Sequence, residues 1–279
     1  MKKNVMKEEF EQALSLPPFN GKIQVAYNHP PFLQAISDCS RLLNEPEAEI
    51  LLDGRNRVGV VVLPNQEGKE IDIVIKEFRS TGVNTLKSSF LPGKAFKAWR
   101  GAVALMKKGI ETPPPVAYLE KRKGVFLEQS FFLAERVGGV EEIRFLLLRF
   151  SPSELRRLLI SLGRFLSLCH EKGVLHRDLS DGNILVRKDK TGEFRFFLVD
   201  TNRIKLKKKV GLLRGLKNLI RLGVPGEFQR NFLEQYMGTS RVRIFFWFWY
   251  KINKVTYTYY VKLKKKLRLR QIAQKLKIQ

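Results

Sequence analysis

The sequence predicts an α+β chain in two parts, strand-rich first and helix-rich after, with a basic helical extension at its C-terminal end. Three observations carry that expectation. Glu49 to Glu77 alternates apolar and polar residues and is rich in Val and Ile, the signature of half-buried strands. Val137-Gly138-Gly139 reads as a connector. Ser151-Pro152-Ser153-Glu154 then opens a long amphipathic segment with a Ser cap, Pro at the first helical position and Glu at the third.

Taken in order, EILLDGRNRVGVVVL and IDIVIKEF read as strands joined by a polar turn, where Asn65 to Lys69 suits a hairpin. Lys94 to Lys108 follows at helical spacing, with Ala95, Phe96, Trp99, Val103 and Met106 on one side and Gly109 at the C-cap position. Thr112-Pro-Pro-Pro115 breaks the chain. Strand character resumes in VAYLE and GVFLEQSFFLAERV around the basic turn Lys121 to Gly124. After the connector, Leu155, Leu158, Leu159, Leu162, Phe165, Leu166 and Cys169 mark one helix face, and Lys172-Gly173 ends it. The expected division is residues 1–48 as an N-terminal segment, 49–137 as the strand-rich lobe, 138–240 as the helical lobe and 241–279 as a basic aromatic tail.

Composition narrows the function classes. The 279 residues are 44% hydrophobic, ample for a packed core. Two cysteines and three histidines exclude a disulfide framework and a Cys/His zinc site. The longest apolar run, Ile244 to Tyr250, is too short to span a bilayer. The N-terminus turns acidic where a signal peptide needs an apolar stretch, so a cytoplasmic location is expected. The net charge of +25 is uneven: residues 1–202 hold 31 basic and 25 acidic side chains, residues 203–279 hold 21 and 2. The last acid is Glu234.

The chemistry concentrates in Val174-Leu-His-Arg-Asp-Leu-Ser-Asp-Gly-Asn-Ile-Leu-Val186. His176-Arg177-Asp178, with Asn183 five residues after the Asp, matches the phosphoryl-transfer loop H-R-D-x-x-x-x-N. Such a loop sets a carboxylate that accepts a hydroxyl proton beside an amide oxygen that holds Mg²⁺ on a nucleotide. The apolar strand Phe194 to Val199, broken by Arg195, then delivers Asp200, placed to bridge the metal to phosphates. Upstream, Lys76 in Val74-Ile-Lys76 falls where the phosphate-contacting lysine of V-A-I-K falls. A single lysine in a strand or a single aspartate at its end says little; the ordered set is much more specific.

With those residues in place, the chain resembles the protein-kinase-like superfamily and, more narrowly, the lipopolysaccharide kinase (Kdo/WaaP) family. The narrower likeness rests on Asp53-Gly-Arg-Asn-Arg-Val58, Lys94-Ala…Trp99, Gly109-Ile-Glu-Thr-Pro…Pro115-Val-Ala-Tyr-Leu-Glu120 and Val199-Asp-Thr-Asn-Arg203, and it covers about residues 49–240. It implies a two-lobed protein-kinase-like fold and transfer of the γ-phosphoryl of ATP to a Kdo or heptose hydroxyl in the inner core of lipopolysaccharide. It also implies Asp178 as catalytic base, Asn183 and Asp200 as Mg²⁺ ligands, and Lys76 at the α/β-phosphates. The turn Gly54 to Asn56 would cover the nucleotide, and backbone from Glu135 to Val137 would hold the adenine.

The sequence departs from protein kinases at several points. No A-P-E follows Asp200, so the peptide-docking segment is missing; Asp200-Thr-Asn replaces D-F-G. The glycine-rich loop is reduced to Gly54 and Gly59, leaving clamping to other groups such as Arg55 or Arg57. No acid occurs between Glu77 and Glu111, so the usual partner of the strand lysine is missing from helix 94–108, and Glu111 is one substitute. His176 is expected to bond backbone near Asp200. His170 ends a helix, where an imidazolium would suit the dipole.

In the tail, Phe245, Phe248, Ile252, Val255, Tyr259 and Leu263 fall on one helical face amid lysines and arginines. This suits the interface of an anionic membrane, and so a protein peripheral to the inner membrane with a glycolipid substrate. The alternative is that the face docks on the helical lobe; the alternation Val255 to Tyr259 also leaves a strand open. Nucleic acid is a less expected partner, because a phosphoryl-transfer site gives no reason for it. Rival functions are a kinase of proteins or small soluble molecules, and a catalytically silent basic scaffold on membrane or RNA. The oligomeric state is not legible.

Overall fold

The structure, a computed structural model, describes residues 10–79 and 92–266. The chain divides into two compact units: one takes the residues up to Val103 together with Pro113–Val137, the other Ala104–Thr112 and Gly138 through Lys266. The architecture is α+β, with the strand-rich part first and the helical part after.

In the first unit, seven strands form one antiparallel sheet. They are β1 (Glu11–Leu16), β2 (Phe19–Gln24), β3 (Glu49–Asp53), β4 (Arg57–Pro64), β5 (Glu70–Glu77), β6 (Pro115–Lys123) and β7 (Phe126–Glu135), in the order β1-β2-β6-β7-β5-β4-β3. Alternation along β5 buries Ile73 and Ile75 and sets Lys76 opposite Val58 and Phe132. The hairpin between β4 and β5 closes on Asn65, whose Oδ1 accepts from the N–H groups of Glu67 and Lys69. Two short helices, α1 (Pro30–Ile36) and α2 (Cys39–Leu42), cover the sheet with Phe32, Ile36 and Cys39. Gly59 of β4 has no room for a side chain, since a Cβ would stand 2.7 Å from Leu43 Cδ2. Its role is packing.

Residues 11–24, which the sequence reading set apart from the strand-rich lobe, are thus two strands of its sheet. The helix α3 (Lys94–Lys107) matches its expected span, with Trp99 buried and its Nε1 donating to Glu11 Oε2 at 2.8 Å. Gly109 takes the left-handed conformation (φ +60°) expected of a helix-ending glycine.

The second unit is built on α5 (Pro152–Glu171), which follows β8 (Glu141–Glu142) and α4 (Ile143–Arg149). Ser151 caps α5 by accepting from Glu154 N–H, and its hydroxyl donates to Glu154 Oε2 at 3.0 Å. The stripe Leu155, Leu158, Leu159, Leu162, Leu166 and Cys169 is buried. Gly163 lets α7 (Gln229–Met237) approach: a Cβ there would lie 2.9 Å from Phe232 O. Around these lie β9 (Val174–His176), β10 (Ile184–Lys188), β11 (Phe194–Leu198), β12 (Ile204–Leu206) and α6 (Leu212–Leu219). Strands pair in the orders β11-β10-β8 and β12-β9.

The tail is helical: α8 runs Ile244–Lys266. Its buried side is not the predicted stripe. Tyr250 is wholly buried, and Phe246, Trp247 and Trp249 pack on the core of this unit. Phe245, Phe248, Ile252, Val255, Tyr259 and Leu263 stay exposed, Ile252 at 63% and Tyr259 at 68%. The segment is apolar on more than one side, so spacing alone names two candidate faces. No helix among the described residues is long and apolar enough to cross a membrane. Residues 267–279 lie outside the described part.

Candidate active site

The catalytic-loop residues sit between β9 and β10, and Asp200 follows β11. Antiparallel pairing of β10 with β11, Ile184 opposite Leu198, brings the two ends side by side. The peptide of Val199 is then held from both directions. Its N–H donates to Asn183 O at 3.1 Å, and its C=O accepts from His176 Nε2 at 2.9 Å. Asn183 and Asp200 are therefore neighbours by backbone construction.

His176 is 2% exposed. A carbonyl can only accept, so Nε2 carries the proton; Nδ1 accepts from Asp178 N–H at 3.2 Å. This is the neutral Nε2–H tautomer, and burial pushes the imidazole pKa below its usual 6.5. The expected backbone role of His176 is what the geometry has. The ring fixes both the peptide before Asp200 and the start of the loop that carries Asp178.

Asn183 donates both amide hydrogens inward, to Asp178 O at 2.7 Å and Ser180 Oγ at 3.2 Å. Its oxygen is the atom left for a metal. Asp200 is the only described non-glycine residue with positive φ (56°, ψ 46°), a conformation that costs of order 1 kcal/mol and collects at functional sites. Asn202, its amide turned to present nitrogen, donates to Asp200 Oδ1 at 2.7 Å, and Arg203 Nε lies 3.6 Å from Oδ2. An amide oxygen and a carboxylate are hard donors that fit Mg²⁺, which is ordinarily completed by phosphate oxygens and water. Among the described residues no three His, Cys, Asp or Glu side chains gather as a metal cage.

The approach to Asp200 is braced from the Gly109-Ile-Glu-Thr-Pro segment. Thr112, buried, donates to Leu198 O at 2.7 Å, and Leu198 N–H donates to Glu111 O at 3.0 Å. The Glu111 carboxylate is bound by Arg195, Nε to Oε2 at 3.2 Å with a second contact from Nη2. Glu111, offered by the sequence as a partner for the strand lysine, is thus engaged on β11.

Asp178 is half-buried, and its Oδ1 is paired with Arg221 Nη1. Arg221 lies 43 residues on, beyond α6, and no motif pointed to it. Asp181 accepts from Gly223 N–H at 2.9 and 3.0 Å, and burial raises its pKa. Ser180 Oγ accepts from Asn183 Nδ2 at 3.2 Å. His170 corrects the dipole expectation. It is buried, donates from Nε2 to Asn218 Oδ1 at 3.1 Å and accepts at Nδ1 from Tyr236 OH at 2.8 Å. Burial lowers its pKa, which disfavours the imidazolium that the helix dipole would suit. Asn218 in turn donates to His176 O at 2.9 Å.

In the strand-rich unit, Lys76 Nζ lies 5.1 Å from the Phe78 ring centroid. Gly54 N–H donates to Asn56 O at 3.1 Å, and a Cβ at Gly54 would meet open space. Asn56 Oδ1 is buried without a hydrogen-bond partner among the described residues. Arg57 is not available as a clamp: it donates to Asn44 Oδ1 and Leu43 O, both at 2.6 Å. Glu135 donates its N–H to Pro114 O at 2.9 Å, and its carboxylate accepts from Tyr27 OH at 2.5 Å. Val137 closes this unit two residues later.

A sequence comparison with curated proteins finds no match. Among solved structures, the chain is similar to WaaP in complex with acyl carrier protein, at a TM-score of 0.50 and 20% identity, over 68% of this chain and 78% of that one. That likeness supports the kinase-like fold. The profile of the lipopolysaccharide kinase (Kdo/WaaP) family matches residues 83–234, which include the loop from His176 to Asn183 and the strand that leads to Asp200. The chain belongs to the lipopolysaccharide kinase (Kdo/WaaP) family.

Proposed function

We propose that the protein transfers the γ-phosphoryl of ATP to a Kdo or heptose hydroxyl in the inner core of lipopolysaccharide, working at the inner-membrane surface. Family membership implies ATP use and a kinase activity. The observation that supports phosphoryl transfer at this site is the double clamp on the Val199 peptide, which sets an amide oxygen and a carboxylate next to a loop bearing Asp178; the sugar acceptor rests on the family alone. Such catalysis is mainly positioning and charge stabilisation.

In this reading Asp178 orients the acceptor hydroxyl and takes its proton as the new O–P bond forms and the bond to ADP breaks. Asn183 and Asp200 would hold Mg²⁺, which would supply neutralisation of the phosphate charge. His176 stays neutral and keeps the Val199 carbonyl, hence Asp200, in place. Lys76 contacts the α/β-phosphates, the turn Gly54 to Asn56 covers the nucleotide, and backbone from Glu135 to Val137 receives the adenine. The unpartnered Asn56 oxygen favours a polar ligand at that turn. The test is transfer of label from ATP to lipid A–core. Asp178→Asn and Asp200→Ala should abolish it while circular dichroism stays unchanged; transfer retained in both variants would refute the assignment.

Membrane engagement is assigned to the exposed face of α8. That face carries Phe248, Ile252, Val255, Tyr259 and Leu263 beside Lys262, Lys264, Lys265 and Lys266, a helix with no acid. Apolar insertion and attraction to anionic lipid act together on such a surface. Replacing Phe248, Val255 and Tyr259 by Ser should reduce sedimentation with phosphatidylglycerol vesicles at least tenfold, with the fold intact. Equal sedimentation would remove this face as the contact.

A further inference from the structure

The ion pair on the catalytic carboxylate does not stand alone. Arg221 Nε donates to Tyr257 OH at 3.1 Å, and its guanidinium lies 5.3 Å from the Tyr257 ring centroid, so α8 fixes the fork that holds Asp178. The segment carrying Arg221 is fastened by the same helix: Lys254 Nζ donates to Leu222 O at 2.7 Å and to Ile220 O at 3.4 Å. On its other side Gly223 N–H binds both oxygens of Asp181. Residues 220–223 are thus tied at one end to the catalytic loop and at the other to α8.

We infer that Arg221 is a positioning residue for the proposed base Asp178, and that Tyr257 and Lys254 make α8 part of the active-site framework. An aspartate with free χ rotation presents its carboxylate in several orientations. A guanidinium on Oδ1 selects one and leaves Oδ2 to receive the hydroxyl proton. A rigid planar fork does this where an ammonium on a flexible stem does not. Within the loop itself Arg177 is exposed, so the fixing cation comes from a distant segment. The same helix shows its other side to solvent as the apolar face assigned above to lipid, so one element carries both.

This inference rests on the reading of Asp178 as base, and the test separates the two. Steady-state transfer to lipid A–core and basal hydrolysis of ATP, with water as acceptor, are measured on the full chain with Mg²⁺. Arg221→Ala should lower kcat about 100-fold in both assays with KM for ATP unchanged. Arg221→Lys should recover little, Tyr257→Phe should cost a few-fold, and added guanidinium should partly rescue Arg221→Ala but not Asp178→Asn. A rise in kcat for Arg221→Ala would mean the pair restrains the enzyme, and overturns the inference. So would an unchanged kcat, or a loss that tracks a raised KM for ATP without guanidinium rescue. The expected order in basal hydrolysis with no transfer to lipid would instead reject the acceptor and leave Arg221 in its role.

Discussion

The two faces of α8 give the sharpest stability prediction. Tyr250 is wholly buried in the helical unit, whereas Phe248, two residues earlier on the same helix, is 56% exposed. Truncating a buried aromatic to Ala costs roughly 3–5 kcal/mol, from lost transfer energy and the cavity left behind. Tyr250 offsets part of that, because its hydroxyl is buried without a hydrogen-bond partner among the described residues, a burden of about 1–3 kcal/mol that leaves with the side chain. Tyr250→Ala should therefore destabilise by about 2 kcal/mol. Tyr250→Phe, which keeps the ring and removes the orphaned oxygen, should be neutral or stabilising by about 1 kcal/mol. Phe248→Ala should fall within about 0.5 kcal/mol of the parent. Guanidinium unfolding followed by tryptophan fluorescence suits the question, since Trp247 and Trp249 sit on α8 and only Trp99 lies elsewhere. An unchanged midpoint for Tyr250→Ala, or equal losses for Tyr250→Ala and Phe248→Ala, would refute the docking of this face.

Three further outcomes follow from particular contacts. His170 and His176 have folded-state pKa values lowered from 6.5 by burial, so their contribution is present above pH 6.5 and lost as pH falls below it. The unfolding midpoint should drop between pH 7 and pH 5, and His170→Gln should flatten that slope. Gly173 (φ +73°) stands against the Lys207 backbone, so Gly173→Ala should cost more than 1 kcal/mol and lower the denaturation midpoint. Thr112→Val removes the hydroxyl bonded to Leu198 O at 2.7 Å; a loss of about 1 kcal/mol in denaturant unfolding is expected, with slower phosphoryl transfer as the approach to Asp200 loosens.

Much of the fold could be read because its signals are short-range. The cap on α5 depends on residues three apart, and Ser151 makes the contact that its spacing implies. The helix 94–108 and the strands from Glu49 to Glu135 follow apolar periodicity. The loop His176 to Asn183 was legible because the amide proposed to face the metal and the proposed base sit five residues apart in one turn. β1 and β2 were not: residues 1–48 were set apart as an N-terminal segment, and only pairing of β2 with β6, about a hundred residues away, shows them as strands of the sheet. Gly21 shows why, since a side chain there would collide with the Tyr118 carbonyl.

By itself the sequence determined the helices α3 and α5, the strands between Glu49 and Glu135, and which chemical groups the catalytic loop carries, because each depends on neighbours within a few residues. Tertiary structure decided which side of an all-round apolar helix is buried. It decided that burial holds the pKa values of His170 and His176 down, since their ionisation depends on packing from distant elements. It also decided that Asp178 meets Arg221 across 43 residues and that Tyr257 holds that arginine. Contacts of that separation leave no periodic trace, because chain folding, not spacing, brings the partners together.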